Sequence, residues 1–370
     1  MSKTRAGHHK NGHEKRVVIF GGAGFIGSNV ADHYLSEGRR VLVFDNVSRA
    51  GVERNLRWLK SRHGELLSVE VADIRDEKAV RRAVRGAEEV FHFAAQVAVT
   101  TSLEGPVHDF EVNARGTLNV LEALRAMQEP APLIFTSTNK VYGGLSGMEF
   151  AKNGRRYEPR DEATRSHGIS ERCPLDFESP YGCSKGAADQ YVLDYGRSFG
   201  LKTAVFRMSC IYGPRQFGTE DQGWVAHFLI RALEGKPITL YGDGMQVRDI
   251  LFIEDLVRAF RLAQANIDQL RGQAFNIGGG PERTVSLLEL LDLIAQRTGR
   301  SPEVRFEGWR TGDQRYYVSD TRKFQQATGW APQVGVEQGV ARLHTWLEAM
   351  AEERARQPSA GGAALEAFAG

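Results

Sequence analysis

Phe20-Gly21-Gly22-Ala23-Gly24-Phe25-Ile26-Gly27 is the stretch that decides the fold. It follows the apolar run Val17-Val18-Ile19 and leads into a helical pattern, so it predicts a strand, a tight turn and a helix. Because the glycines of this stretch have no side chains, their N–H groups can approach an anion at the N-terminus of the helix, where the helix dipole also favours negative charge. The stretch therefore predicts a site for the pyrophosphate of a dinucleotide.

A glycine-rich turn alone is a weak signal, and the expected confirmation is an acidic residue at the end of the next strand. The predicted strand Arg40-Val41-Leu42-Val43-Phe44 is followed at once by Asp45. A carboxylate at this point can accept hydrogen bonds from the adenosine ribose, and it would repel a 2′-phosphate. The sequence therefore predicts NAD rather than NADP, although nearby Arg49 keeps NADP open as an alternative.

Further predicted strands at 66–71, 89–93, 133–137, 203–206 and 274–277 alternate with helical patterns. This alternation predicts an α/β fold of the Rossmann type, a doubly wound parallel sheet with right-handed crossovers and a smaller C-terminal substrate-binding region. We assign 16–210, with a strand and helix near 250–277, to the NAD-binding domain. The segments 211–249 and 278–350 form the predicted substrate region, 1–15 a disordered tail and 351–370 a flexible tail.

The predicted NAD contacts lie in the glycine-rich turn and at the ends of the following strands. They are Gly21, Gly24, Phe25, Ile26, Gly27, Asp45, Asn46, Ser48, Arg49, Asp73, Ile74, Ala94, Ala95 and Gln96. Asp73 can equally well cap the helix that follows it.

Composition excludes several other classes of function. The net charge of +2 is spread over both signs, so nothing favours a nucleic-acid partner. Three cysteines without paired spacing predict neither a disulfide framework nor a zinc site, and we predict no metal. The absence of a long apolar run and of an apolar leader predicts no membrane association and a cytoplasmic location.

Tyr181 and Lys185 are four positions apart, which places both on one face of a predicted helix. A phenol has a pKa of about 10, and both the ammonium group and a positive nicotinamide ring would lower it toward the working range of a base. The pair is common by chance on amphipathic helices. It becomes informative because Thr138 supplies a hydroxyl at the end of the fifth predicted strand.

These features together resemble the extended short-chain dehydrogenase/reductase superfamily, which combines a glycine-rich turn, a Ser or Thr, and Tyr-x-x-x-Lys on a nicotinamide cofactor. The resemblance implies that Thr138, Tyr181 and Lys185 are the catalytic residues, and that Tyr181 and Lys185 also contact the cofactor. Nucleotide-sugar 4,6-dehydratases of the superfamily carry Asp-Glu directly after the Thr. Asn139-Lys140 stands there in this chain and lacks that acid and base.

Longer matches narrow the resemblance to the family of CDP-paratose 2-epimerases, also called CDP-tyvelose epimerases. The segments that carry it are 45–49, 55–59, 138–143, 175–191, 215–217 and 221–225. The family implies tightly bound, recycled NAD and inversion at C2 of a CDP-linked deoxyhexose through a 2-keto sugar. Phe20 stands where the superfamily often has Thr, and Met208-Ser209-Cys210 replaces a more polar run, which leaves the deoxy pattern of the sugar open.

The resemblance also implies cations for the diphosphate of a nucleotide sugar. Arg248 and Arg310 match positions that bind the diphosphate and its ribose, and a guanidinium fork suits phosphate oxygens. Ion pairs of Arg248 with Asp249 or of Arg310 with Asp313 are the alternative for each residue. The rest of the predicted substrate set is Asn139, Arg215 and Asn113, the last through support of the catalytic helix.

Several other functions remain open on the same fold. They are an epimerase of another nucleotide sugar or carbon, of the UDP-sugar 4-epimerase type, a nucleotide-sugar dehydratase or decarboxylase, and a non-catalytic dinucleotide-sensing module. The superfamily also implies a homodimer or homotetramer in which helices near 113–127 and 181–199 pack between subunits.

Overall fold

The computed structural model describes residues 15–356 apart from Thr311. Its strands are β1 Arg16–Phe20, β2 Val41–Asp45, β3 Leu67–Val71, β4 Ala87–His92, β5 Leu133–Thr138, β6 Phe150–Asn153, β7 Arg156–Pro159, β8 Thr203–Met208, β9 Cys210–Tyr212, β10 Ile238–Tyr241, β11 Val247–Phe252, β12 Gln273–Ile277, β13 Thr284–Ser286, β14 Val304–Glu307 and β15 Tyr316–Tyr317.

The α-helices are α1 Phe25–Ser36, α2 Val52–His63, α3 Glu77–Ala83, α4 Val99–Glu104, α5 Pro106–Phe110, α6 Gly116–Arg125, α7 Glu162–His167, α8 Ser179–Ser198, α9 Trp224–Leu233, α10 Ile253–Ala265, α11 Ile267–Leu270, α12 Leu287–Thr298, α13 Arg322–Thr328 and α14 Val336–Arg356. One turn of π-helix, Glu111–Arg115, lies between α5 and α6, and a short 3-10 helix, Asn139–Tyr142, follows β5. No helix among the described residues is both long and apolar enough to cross a membrane.

Seven strands form one parallel sheet in the order β12-β8-β5-β4-β1-β2-β3. The strand order reverses between β1 and β4, since the chain runs outward from β1 to β3 and then returns beside β1 as β4. Ligands of doubly wound sheets bind at the carboxyl ends of the strands on either side of such a switch point. The predicted α/β Rossmann fold is confirmed.

The sheet separates two apolar clusters, as a parallel sheet covered on both faces requires. Alternate residues of β1 show the division: Val17 and Ile19 belong to one cluster, and Val18 and Phe20 to the other. All four side chains are fully buried. The continuous apolar run that opens the sequence therefore reflects a strand buried on both of its faces.

Shorter strands outside the large sheet build up the region that faces its carboxyl end. β11 pairs with β9, β13 and β15, β10 pairs with β14, and β6 pairs with β7. The strands predicted from the sequence include none within 143–179 or 212–249, so they leave out β6, β7, β10 and β11. These strands are short; β6 and β7 form a hairpin, and β10 and β11 pair with remote segments.

The predicted chain ends need one correction. Helix α14 continues to Arg356, so the flexible tail predicted from position 351 begins too early. The rest of that tail, and the tail predicted over 1–15 except Lys15, lie outside the described residues. The division between a NAD-binding domain and a substrate region stays a prediction.

Candidate active site

The glycine-rich turn packs tightly against the sheet on one side and is open on the other. Gly21 has a φ of +76°, and a Cβ atom there would lie 2.5 Å from the backbone N of Ala94. A Cβ at Gly27 would lie 2.2 Å from the carbonyl oxygen of Gly21. At Gly24, by contrast, the only atom of a non-adjacent described residue within 4 Å would be that same oxygen, at 3.3 Å. Gly21 and Gly27 are required by the packing, and Gly24 leaves room for a ligand.

Helix α1 starts directly behind this opening. Its N-cap is Gly24, and no side chain caps its first turn, which contains Phe25 and Ile26. Unpaired N–H groups at a helix N-terminus attract an anion. The turn therefore offers the pyrophosphate cradle that the sequence predicts.

Asp45 connects the end of β2 to the glycine-rich turn. Its carboxylate accepts hydrogen bonds from the backbone N–H groups of Ala23 (3.0 Å) and Val47 (2.9 Å). Burial raises the pKa of Asp45, while these hydrogen bonds and the charge of Arg49 act in the opposite direction. Each oxygen accepts one bond from the protein, so a lone pair on each remains for a ribose hydroxyl.

The residues predicted for the adenosine are arranged around Asp73. The Asn46 amide donates to Asp73 (3.2 Å) and accepts from the Ser48 N–H (3.2 Å). Arg75 binds both Asp73 oxygens at 2.9 Å and holds the pKa of Asp73 well below its usual range. Asp73 therefore stays an anion in this position.

Ile74 differs from its prediction. Its side chain is 4% exposed and packs so closely that a Cβ on Gly116 would lie 2.7 Å from it. The Ile74 carbonyl also accepts a hydrogen bond from Asn119 (3.1 Å). The side chain is therefore not available to adenine, and a contact from Ile74 would have to come from its backbone N–H.

The segment Ala94-Ala95-Gln96 follows β4 and passes directly over Gly21. Asn113, on the π-helical turn, accepts from the Gln96 N–H (2.9 Å) and donates to the Gln96 carbonyl (3.0 Å). Its amide also donates to Ser184 on α8 (3.0 Å). Asn113 is 1% exposed, and its contact with α8 fits the predicted role in support of the catalytic helix.

Three observations fit a bound dinucleotide: the space at Gly24, the uncapped start of α1, and the acceptor Asp45 at the switch point. They come from the packing of this chain. The described residues therefore hold a site whose shape and donors suit NAD.

The predicted catalytic residues come from two elements that meet at the carboxyl end of the sheet. Thr138 ends β5, and Tyr181 and Lys185 lie in the first two turns of α8. The Thr138 hydroxyl lies close enough to the Tyr181 phenol to form a hydrogen bond that lowers the pKa of Tyr181. The Lys185 ammonium donates to the carbonyl of Thr136 (2.7 Å). The structure thus brings all three residues together.

The electrostatics differ from the prediction that Lys185 moves the phenol toward ionisation. Burial raises the pKa of Tyr181 to about 12 and outweighs the hydrogen bond from Thr138, and the charge of Asp109 raises it further. Burial also lowers the pKa of Lys185 to about 7, against the charges of Asp189 and Asp109. Without a ligand, Tyr181 is therefore a neutral phenol at pH 7.

The residues after Thr138 contact a distant loop. The Asn139 amide accepts from the Thr138 hydroxyl (3.3 Å) and donates to Gln314 (3.0 Å). The Lys140 ammonium donates to the carbonyl of Gly312 (2.7 Å) and lies 3.8 Å from Asp313. Neither Gln314 nor a contact of Lys140 is predicted from the sequence. The replacement of Asp-Glu by Asn139-Lys140 points to Lys140, but no local pattern in the sequence marks Gln314.

Two of the predicted substrate arginines approach the same side of the site. Arg248, on β11, is 8% exposed, and its guanidinium donates to the Val247 carbonyl (2.8 Å). Arg310 lies over the ring of Tyr241 at 3.6 Å and forms ion pairs with Glu220 (3.4 Å) and Asp221 (3.3 Å). The alternative ion pairs with Asp249 and Asp313 do not form.

The Arg215 side chain packs against aromatic rings, which does not support its predicted substrate contact. Its guanidinium lies over the Trp58 ring at 3.8 Å and 5.8 Å from the centre of the Trp346 ring. Its backbone has a φ of +74°, and its carbonyl accepts from Asn55 (3.4 Å). This side chain joins α2 to α14, because two aromatic rings hold it away from the carboxyl end of β5.

Comparison with known proteins agrees with this arrangement. Residues 17–278 match the model of a family described as the NAD dependent epimerase/dehydratase family. The chain is 45% identical over 344 residues to the CDP-paratose 2-epimerase of Salmonella typhi, a match that covers 90% of this chain and 100% of that protein.

Solved structures of other proteins have the same fold. The UDP-glucose 4-epimerase of Thermus thermophilus, in complex with NAD, superposes with a TM-score of 0.74 at 34% identity, over 90% of this chain and 99% of that one. A dTDP-glucose 4,6-dehydratase of Streptomyces venezuelae, with NAD bound, gives 0.77 at 28% identity, over 93% and 99%.

Proposed function

This chain belongs to the NAD-dependent epimerase/dehydratase family, and from that premise we propose that it is an isomerase that inverts C2 of a CDP-linked deoxyhexose, as in the conversion of CDP-paratose to CDP-tyvelose. The observation that carries the proposal is the 45% identity to a CDP-paratose 2-epimerase along 100% of that protein. The match includes both halves of the site, the glycine-rich turn and the region around Arg248 and Arg310.

The cofactor site is assigned to residues of this chain. The backbone around Gly24, Phe25 and Ile26 would hold the pyrophosphate, Asp45 would accept from the adenosine ribose, and Lys185 would donate to the nicotinamide ribose. NAD, when bound, supplies a hydride acceptor that later returns the hydride. Because no net oxidation occurs, we propose that it stays bound through the cycle.

Tyr181 is the residue that moves the proton. As a phenolate it takes the proton from the C2 hydroxyl while the C2 hydrogen leaves as hydride, and Thr138 holds that hydroxyl in line. The resulting 2-keto sugar rotates within the site and receives the hydride on its opposite face. Its oxygen then takes the proton back from Tyr181. A positive ring beside the phenol lowers the pKa of Tyr181 from the value that burial imposes.

The dehydratase alternative fits the site less well. Elimination of water from the sugar needs an acid and a base next to Thr138. Asn139 carries no titratable group, and Lys140 supplies a single cation in place of the Asp-Glu pair. An epimerase that acts on another carbon or base remains the second candidate, since UDP-glucose 4-epimerases share this fold. The retained Thr138, Tyr181 and Lys185 argue against a sensing module.

We also propose that the chain forms a homodimer or homotetramer through α6 and α8. The exposed apolar side chains of Tyr191 on α8 and of Phe199, which directly follows α8, support this, and Leu103, Val107 and Phe110 extend the same kind of surface along α4 and α5. Light scattering on the purified protein measures the mass directly. A monomer at micromolar concentration would contradict the proposal.

The function is tested by proton NMR of purified protein with CDP-paratose and no added nicotinamide. Inversion at C2, seen in the H1 and H2 couplings, is the expected result. Tyr181→Phe should lower the rate by roughly 100-fold or more, since it removes the proton carrier. Tyr191→Phe, on the exposed face of the same helix, is the matched control and should keep the full rate. An active Tyr181→Phe variant would contradict the mechanism.

A further inference from the structure

Lys140 and Arg248 bring two positive charges to one side of the site. Lys140 keeps 21% of its side chain exposed, and Arg248 is 8% exposed. Burial, together with the charge of Arg248, lowers the pKa of Lys140 to about 8.

The protein balances this charge only in part. Asp313 lies 3.8 Å from the Lys140 ammonium, and within the described residues Arg248 forms no ion pair. Asp249, its sequence neighbour, is turned away, since its carboxylate accepts from the Gly280 N–H (3.0 Å) and the Ser209 hydroxyl. Cations withdrawn from water without a partner are costly. An anion bound by Lys140 and Arg248 would offset their remaining positive charge.

Lys140 is also tied directly to the catalytic residues. Its backbone N–H donates to the hydroxyl of Thr138 (3.2 Å). An anion on its ammonium is thus held within one lysine side chain of the hydroxyl that orients the sugar. Arg310, the other predicted diphosphate ligand, is instead held on the ring of Tyr241.

We propose that Lys140 binds the substrate diphosphate together with Arg248 and thereby selects C2 of the sugar as the reacting carbon. The proposal rests on the proposed function. The diphosphate is attached to C1, and C2 is bonded to C1, whereas C4 lies across the ring. A diphosphate held close to Thr138 brings C2 to Tyr181, and a diphosphate held farther out brings C4 there. Lys140 is a positioning residue for the reaction.

Binding of CDP, measured by titration calorimetry, tests the diphosphate contact. Lys140→Met should weaken CDP binding by about tenfold or more, the effect of one lost charge-assisted hydrogen bond, and leave cytidine binding unchanged. Lys140→Arg should restore most of the affinity. Lys236→Met, at an exposed lysine that pairs with Glu234, is the control. A Lys140→Met variant that binds CDP as the native protein does, or that loses cytidine equally, overturns the contact.

The pH dependence gives a readout that a merely structural lysine would not give. Since the pKa of free Lys140 is about 8 and the diphosphate needs its charged form, CDP affinity should fall between pH 7 and 9.5. The groups that act on Lys140 are Arg248, Asp313, Glu178 and Cys210. Burial raises the pKa of the Cys210 thiol. In Lys140→Met the fall should disappear, and a fall of unchanged size contradicts the proposal.

Measurements of the turnover rate test whether Lys140 selects the reacting carbon or only binds the substrate. With saturating CDP-paratose, Lys140→Met should invert C2 at least about tenfold more slowly, and Lys140→Arg should recover the rate. A Lys140→Met variant with raised KM and native kcat would show that Lys140 binds substrate without selecting C2. If the native protein binds CDP but leaves C2 unchanged, the proposed function is contradicted. The CDP titrations would then still test the diphosphate contact by themselves.

Discussion

At the scale of single residues, burial sets the protonation of the catalytic pair more strongly than their mutual spacing does. Tyr181 and Lys185 share a helix face, as their spacing predicts, but desolvation raises the pKa of one and lowers the pKa of the other. Both groups are therefore biased toward their neutral forms. A positive cofactor ring acts on both, favouring the phenolate and further disfavouring the ammonium.

Lys185 should make the stability of the protein depend on pH. Its pKa is about 7 in the folded chain and 10.5 in the unfolded chain, so between these values the unfolded state binds more protons and stability rises with pH. We expect the urea midpoint of the native protein to increase from pH 7 to 9 relative to that of Lys185→Met. The cost of burying the charged form is complete below about pH 7.

The comparison with a variant is necessary because Lys140 contributes a change of the same sign. Lys236→Met removes an exposed lysine and should follow the native curve. Parallel curves for the native protein and Lys185→Met would contradict the assignment.

At the scale of elements, the glycine-rich turn and helix α1 form one rigid unit. The turn is fixed by Asp45 at the end of β2 and by the close approach of Gly21 to Ala94. Across the switch point, the π-helical turn Glu111–Arg115 aims Asn113 at Gln96 and at α8. Such turns are frequent at functional sites because they redirect a side chain within a helix. The cofactor side and the catalytic helix are thereby connected.

Gly27→Ala should break the cofactor site. The added methyl would lie 2.2 Å from the Gly21 oxygen and 2.6 Å from the Gly22 Cα, both backbone atoms that cannot move without opening the turn. We expect NAD affinity to fall by about tenfold or more, or ~1.4 kcal/mol. The amount of NAD released from denatured protein measures this. Gly335→Ala, where nothing lies within 4 Å of the added atom, is the control. Full NAD content in Gly27→Ala would show that the turn tolerates the methyl group.

At the scale of the whole molecule, one loop connects helix α2 with helix α14. Residues 213–217 pack on α2 through Arg215 and Trp58 and on α14 through Trp346. Asn55 connects the same loop to the glycine-rich turn, since its amide donates to the carbonyls of Ala23 (3.1 Å) and Arg215. The C-terminal helix thus supports the cofactor side of the site.

Arg215→Ala should reduce stability without changing substrate affinity. Loss of the cation–π contact with Trp58 should lower the free energy of unfolding by about 1–2 kcal/mol, and CDP binding should stay unchanged. Arg248→Met is the contrasting variant and should weaken CDP binding by about tenfold or more. Chemical unfolding and titration calorimetry measure the two effects. Weaker CDP binding in Arg215→Ala, with native stability, would instead support a direct substrate contact of Arg215.

The sequence by itself determined the Rossmann sheet, the NAD-binding turn and the family. Each of these is written in a contiguous stretch: apolar runs for strands buried on both faces, glycines where backbone meets backbone, and Asp45 or Thr138 directly after a strand. Strands and tight turns depend on residues that are close together in the sequence, so they produce recognisable local patterns. Membership of the NAD-dependent epimerase/dehydratase family confirms the cofactor expected from those patterns.

Only the tertiary structure decided where the long side chains point. Arg215 and Arg248 are the same residue type, yet Arg215 lies over Trp58 and near Trp346, while Arg248 donates to the Val247 carbonyl. Asn139 meets Gln314 across 175 positions of sequence. The direction of a flexible side chain depends on partners brought together by folding, and no periodicity in the sequence records those partners.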